Sequence, residues 1–141
     1  MRALLGGLAL LAMSASGCGW FDDESIDGVW QIVEIDGQPV EIGENTIEAP
    51  FLVIDVTDLA ATLGCNDGTG SIRLDDDTAV VTDLSVSALD CEPEALRFAD
   101  RAVGEVLASD TIAVRFADDD RLIWDAEGRQ LVLVSVPEPP P

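Results

Sequence analysis

The sequence contains no histidine, no tyrosine and, because all 7 basic residues are arginines, no lysine. These absences remove most of the side chains that act as general bases, Schiff-base nucleophiles or zinc ligands in enzymes. Carboxylates are plentiful, but each one is explained by a strand edge, a turn or a helix face, and no pair stands out as an acid–base couple. The composition therefore argues against an enzyme.

Positive charge is also scarce, since 28 acidic residues outnumber 7 basic ones and give a formal net charge of −21. Nucleic acids and anionic lipid surfaces are bound through basic patches. We therefore expect no nucleic-acid partner and no electrostatic attachment to a membrane. Acid-rich, lysine-free composition is also typical of high-GC or salt-adapted genomes. We favour genome composition over an acid-specific role as the origin of the charge.

Long hydrophobic runs are missing except at the amino terminus, where residues 1–17 carry a single charge, Arg2. The apolar run from Ala3 to Met13 is too short to span a bilayer as a helix, but it fits the hydrophobic region of an export signal. It ends in Ala15-Ser16-Gly17-Cys18, which follows the lipobox pattern of bacterial lipoproteins. We predict that residues 1–17 are removed and that Cys18 is lipidated. The alternative is an ordinary secretory signal cleaved nearby.

Lipidation of Cys18 predicts a protein anchored on the outer side of the cytoplasmic membrane without crossing it. We also expect the protein to be a monomer. Residues 18–25 then form an acidic tether next to the membrane. The folded domain is predicted over residues 26–136, and the proline-rich residues 137–141 are predicted to be an unfolded tail.

The sequence has 3 cysteines. If Cys18 carries lipid, Cys65 and Cys91 remain as a pair in an oxidising compartment. We therefore predict a Cys65–Cys91 disulfide, which would be structural.

Alternating apolar residues bounded by turn residues predict about eight short strands, and one segment has helical periodicity. The helical segment begins at Glu92-Pro93-Glu94 and ends at Ser109-Asp110, with a stripe that includes Leu96, Ala99 and Val103. The short connections favour antiparallel pairing. The fold class is therefore α+β, a small antiparallel half-barrel-like sheet with one amphipathic helix. The predicted strands are Val29–Ile35, Thr46–Val56, Ala60–Leu63, Gly70–Leu74, Ala79–Val86, Thr111–Phe116, Arg121–Trp124 and Gln130–Val136.

The segment LGCNDGTG, residues 63–70, is the most distinctive stretch of the chain. A phosphate-binding loop would need a strand-to-helix setting and a lysine. A reactive cysteine would need a histidine or a cation nearby, and the nearest base in sequence to Cys65 is Arg73. No Asp-x-Asp-x-Asp-Gly array with a distal glutamate is present, so we expect no metal or other cofactor, although loose calcium binding at Asp75–Asp77 or Asp118–Asp120 stays open. A structural turn remains as the best interpretation.

Three pieces of the sequence together resemble the META/HslJ domain family. The first is Gly64-Cys65-Asn66, followed by the second cysteine and a helix. The second is an opening strand with Trp30 before the turn Asp36-Gly37. The third is a closing hairpin around Trp124. The resemblance covers about residues 26–136. Members commonly have an aromatic residue where this chain has Gly68, so a ligand surface that depends on that side chain is not implied.

The resemblance implies a small α+β half-barrel in secreted proteins and lipoproteins of the bacterial envelope, with links to stress response and no established catalytic activity. The fold is also similar to that of pilotin lipoproteins, which hold a partner's tail or a lipid. We therefore expect a non-enzymatic domain that binds an envelope protein or supports envelope integrity. The alternative is a carrier of a small apolar or lipid ligand. An internal apolar cavity would favour the carrier, and a packed interior with an exposed apolar groove would favour the protein partner.

Overall fold

The computed structural model describes residues 25–40, 50–92 and 94–137. The predicted signal, Cys18, the tether up to residue 24 and residues 138–141 of the tail lie outside the described residues. The strands and the single described helix follow in chain order: β1 Gly28–Ile35, β2 Gln38–Pro39, β3 Phe51–Asp55, β4 Asp58–Thr62, β5 Asp67–Asp75, β6 Thr78–Val86, α1 Glu94–Leu107, β7 Ile112–Asp118, β8 Arg121–Ala126 and β9 Arg129–Val136.

The strands form one antiparallel sheet that closes on itself. Neighbours follow the order β2-β1-β3-β4-β5-β6-β7-β8-β9, and β1 pairs in addition with β9. The predicted α+β class is confirmed, but the half-barrel was wrong, because the pairing of the first long strand with the last one makes a closed barrel. The two-residue strand β2 adds to β1 outside the ring, at Glu34 and Ile35.

The barrel interior is filled with side chains. Burial alternates along the strands, as in β8, where Leu122 and Trp124 are fully buried and their neighbours are half-buried. The alternation follows from the period-two geometry of a strand, which turns every second residue toward the core. Fully buried Ile32, Leu52 and Leu133 come from other strands and belong to the same core.

Helix α1 covers one mouth of the barrel. Glu94 lies in the first turn, where its negative charge interacts favourably with the positive end of the helix dipole. Leu107 is the last helical residue. The buried residues recur at spacings of three and four and make one apolar face against the barrel. They are Ala99, Ala102, Val103, Val106 and Leu107.

The two ends of the barrel differ in what they carry. The end covered by α1, here called the helix end, also holds the β4–β5 loop, the β1–β2 turn and the β8–β9 turn. The opposite end, here called the acidic end, holds the other three hairpin turns and both ends of the described domain, because Gly28 pairs with Ile54 and Val29 with Val136. Its exposed acids are Asp27, Asp55, Asp58, Asp75, Asp76, Asp77, Asp118, Asp119 and Asp120.

The helix lies directly on the β4–β5 loop at Gly64, where a Cβ atom would be 2.7 Å from the Leu96 carbonyl oxygen and 3.1 Å from the Asp100 nitrogen. Both are backbone atoms of the helix, so Gly64→Ala must displace α1. We expect it to lower the free energy of unfolding by about 2 kcal/mol, measured by chemical denaturation.

Gly104→Ala is the matched control. Its new Cβ would lie 3.3 Å from Cδ2 of Leu63, a side-chain methyl group rather than a backbone atom. An alanine inside a helix also gains about 1 kcal/mol over glycine. We therefore expect no net loss there, and equal stability of the two variants would contradict the close approach at Gly64.

Candidate functional site

The segment that links β4 to β5 carries the disulfide predicted from the sequence. Cys65 and Cys91 are bonded, with Cα atoms 5.7 Å apart and a sequence separation of 26. The Leu63 N–H donates to the carbonyl of Asn66 at 2.8 Å and closes the tight loop around Cys65. The disulfide therefore ties this loop to the segment that enters α1.

Asn66 is 5% exposed, and its side-chain amide is fully hydrogen-bonded. Its Oδ1 accepts from the Leu89 N–H at 2.6 Å and from the Ser87 hydroxyl at 2.9 Å. Its Nδ2 donates to the Leu89 carbonyl at 3.1 Å and to Oδ2 of Asp100 at 2.9 Å. One side chain thus holds together the loop, the segment after β6 and the helix.

Asp100 reaches the same junction from α1. Its Oδ1 accepts from the backbone N–H of Cys65 at 3.2 Å and of Asn66 at 2.9 Å. Sequence reasoning missed this residue, although an acid four positions after Leu96 and next to Ala99 borders the apolar stripe of the helix. Such an acid needs hydrogen-bond donors, and here the loop supplies them.

This junction is a structural cross-link. The atoms of Cys65, Cys91 and Asp100 that could ligate a metal ion lie within 4.8 Å of one another. Within residues 25–40, 50–92 and 94–137, no other group of three potential metal ligands lies this close together. The two sulfur atoms are bonded to each other, and both oxygens of Asp100 accept hydrogen bonds. This junction therefore has neither a free thiolate nor a carboxylate without hydrogen bonds that could bind a metal ion.

Trp30, the other residue singled out in the sequence, lies in β1 and is 4% exposed. Its indole N–H donates to the Ile26 carbonyl at 2.8 Å, and its ring meets Phe116 edge-on with centroids 6.4 Å apart. Trp30 is therefore a core residue that fixes the start of the domain.

A surface groove of about 200 Å³ lies at the helix end between α1 and the β1–β2 hairpin. Its walls are mostly apolar. Phe98, which is 39% exposed, forms one side, and Ile35 and Val40 form the other. This groove could not be predicted from the sequence, because its two walls are about 60 residues apart and Phe98 lies outside the buried stripe of the helix.

Arg129 fixes the wall that contains Phe98. Its guanidinium lies 5.2 Å from the centre of the Phe98 ring and bonds Glu105 at 3.0 Å and Asp36 at 2.6 Å. The hydrogen bond with Glu105 has the largest effect on the pKa of Arg129 and raises it. Burial, the next largest effect, opposes it, and the hydrogen bond with Asp36 and the two nearby carboxylate charges then raise it further, so that the pKa lies above its usual value. The charge on Arg129 is thereby compensated, and the ion cluster beside the groove contains one guanidinium and two carboxylates, so it is formally negative by one charge.

No helix in the described ranges has the length and apolarity needed to cross a membrane. A family model described as META domain matches residues 23–138. No functionally curated protein matches the sequence.

Two solved structures share the fold. One is an NMR structure of a protein that is 16% identical to this chain, with a TM-score of 0.66 over 80% of this chain and 92% of the other. The second is an NMR structure of a protein from Burkholderia xenovorans, 15% identical, with a TM-score of 0.64 over 94% of this chain and 98% of the other. At these identities the likeness is one of fold alone.

Proposed function

This chain belongs to the META domain family, and from that premise we propose that it is a membrane-anchored, non-enzymatic lipoprotein domain of the bacterial envelope that binds a partner protein. The observation that carries the proposal is that two features occur together. The barrel interior is filled with apolar side chains, and an apolar groove of about 200 Å³ is open at the helix end. A filled interior disfavours the alternative, a carrier of a small apolar ligand inside the barrel. A groove with an exposed aromatic wall suits an apolar side chain of a protein.

The topology supports a consistent orientation of the anchored domain. The described domain begins at Ser25 on the acidic end, and the predicted lipid at Cys18 precedes it by seven residues. Seven residues span at most about 25 Å when fully extended. The start of the domain, at the acidic end, would then lie within about 25 Å of the lipid anchor, and the groove beside Phe98 would lie at the opposite end of the barrel, where an envelope protein has access.

Cys18→Ala tests the anchor. We expect the variant to leave the membrane fraction, because the rest of the sequence offers neither a second membrane-spanning run nor a basic patch. Fractionation followed by immunoblotting measures the change. Retention of the variant in the membrane fraction would contradict the anchor.

Phe98→Ser tests the groove. A photo-reactive amino acid at Ala95, which lines the groove, should give a protein adduct of defined mass in the envelope, and Phe98→Ser should reduce that adduct at least about tenfold by removing an apolar anchor. The matched control is Val56→Ser, which removes an apolar residue that is 73% exposed at the acidic end. We expect the control to leave the adduct unchanged.

Two outcomes would overturn the assignment to the groove. One is an adduct that survives Phe98→Ser while the variant keeps its thermal stability. The other is a lipid or small apolar molecule that co-purifies reproducibly with the protein in native mass spectrometry, which would favour the carrier instead.

A further inference from the structure

The contact between β6 and β7 is the place where the barrel is least completely paired. The two strands match only at Thr78 with Ala113 and at Ala79 with Ile112. One more hydrogen bond, from the Val114 N–H to the Asp77 carbonyl at 2.8 Å, extends this contact toward the acidic end. From residue 80 to 86, β6 pairs with β5 and with no other strand of the described chain.

Burial of the β6 side chains falls where β7 is missing. Ala79, which is opposite β7, is fully buried, whereas Val81 and Leu84 pack against the core but remain half-buried. Inward side chains on β3, which is paired on both edges, show no such loss, since Leu52 is 0% and Ile54 is 2% exposed. The core is therefore less well covered along this open edge, and a further strand would bury it.

The backbone of β6 is oriented for pairing at this edge. Successive residues of a strand point their N–H and C=O groups to alternate sides. The Asp77 carbonyl points to β7, so the N–H and C=O of Val81 point to the same side, beyond the last paired residue. An unpaired edge of this kind is the usual template for an added strand.

We propose that the open edge of β6, residues 80–86, binds an extended segment of a partner protein that carries positively charged side chains. Exposed carboxylates of Asp83 and Asp90 lie on and just after this edge. Among the cross-strand partners of β6, the one arginine is Arg73, which lies opposite Val80 at the start of the edge. Val86 and Leu89 are 38% and 64% exposed, and they offer the partner's segment an apolar contact as well.

A second copy of this chain is a poor occupant of the edge. Each copy carries a formal net charge of −21, so pairing two copies edge to edge brings like charges together. A bulge opposite Thr69–Ser71 and a left-handed Asp83, with φ of 56°, also interrupt the edge. Such interruptions oppose long self-pairing and leave room for a short segment.

The inference rests on the proposed function, because it names the chemistry of a partner for an interaction module, but it uses a different surface. The probe is a capped peptide of alternating arginine and valine, about eight residues long. With the purified protein, we expect saturating peptide to slow amide exchange at Val81 at least about tenfold, as measured by NMR. The control peptide has the same side chains but N-methylated backbone amides on the pairing side, and it should give no protection.

Absence of slowed exchange at Val81 would overturn strand addition. Equal binding of the N-methylated peptide would overturn it too, because such binding would depend on charge attraction alone. Phe98→Ser separates this test from the groove. Slowed exchange that persists in Phe98→Ser supports the open edge whatever the groove binds. A groove adduct without slowed exchange at Val81 refutes the open edge and leaves the proposed function standing.

Discussion

Asn66→Ala is expected to lower the free energy of unfolding by about 4 kcal/mol, since four side-chain hydrogen bonds are lost at about 1 kcal/mol each. The bonds join Asn66 to Ser87, to both backbone groups of Leu89 and to Asp100. Because Asn66 is 5% exposed, water does not replace these bonds freely, and the carboxylate of Asp100 loses a donor. Urea denaturation followed by circular dichroism measures the change.

Asn66→Asp sharpens this prediction because it keeps the shape and exchanges the amide NH₂ for an oxygen. In the native structure that NH₂ lies 2.9 Å from Oδ2 of Asp100 and 3.1 Å from the Leu89 carbonyl. At neutral pH the variant would place two carboxylates and a carbonyl against one another, so we expect it to be at least as unstable as Asn66→Ala. The deficit should shrink in acid, because a protonated carboxyl can donate to Asp100.

Asp90→Ala is the control for both variants, since Asp90 is an exposed residue of the same segment. We expect it to change stability by less than about 0.5 kcal/mol. If Asn66→Ala costs no more than this control, the Asn66 side chain does not hold the junction together, which must then rely on the disulfide and on the backbone hydrogen bonds to Asp100.

Local features of this fold could be predicted from the sequence because they depend on neighbouring residues. Strand periodicity predicted most strands, the pattern after Cys91 predicted α1, and cysteine parity predicted the bond between Cys65 and Cys91. The predicted strand Thr46–Val56 is confirmed only as Phe51–Asp55, and residues 46–49 lie outside the described residues. The META resemblance is confirmed by the match over residues 23–138.

Closure of the barrel could not be predicted in this way. It depends on pairing Val29 with Val136 and Ile35 with Leu131, residues about 100 positions apart. Alternation shows that both strands are half-buried, but it does not show which strand each one meets. The half-barrel expectation failed at this one contact, while the antiparallel arrangement followed from the short connections.

The role of Asp100 was hidden for a related reason. On the sequence it is one of 28 acids, and nothing local separates it from the solvated ones. Its environment is set by the β4–β5 loop, 34 and 35 residues earlier, whose backbone donors it satisfies. In the LGCNDGTG segment, residues 63–66 form the predicted turn, whereas residues 67–70 belong to strand β5. The partner of this turn on the helix required the tertiary structure.

Removal of the disulfide is expected to have the second largest effect. The double variant Cys65→Ala/Cys91→Ala opens a loop with a sequence separation of 26 residues, which corresponds to about 3.5 kcal/mol in the chain-entropy estimate. Cys18→Ala is the matched cysteine control, because Cys18 precedes the domain, and it should leave the free energy of unfolding unchanged. Reduction of the native protein with dithiothreitol should reproduce the loss seen in the double variant.

Combining the double cysteine variant with Asn66→Ala tests whether the disulfide and the amide act on the same junction. Both hold the segment from Ser87 to Cys91 against the β4–β5 loop. When one of them is removed, this segment is already less ordered, so removing the other costs less stability. The combined loss should therefore fall short of the sum of the separate losses by at least about 0.5 kcal/mol. Strict additivity would mean that the bonds of Asn66 form without help from the disulfide, and that the two stabilise separate parts of the domain.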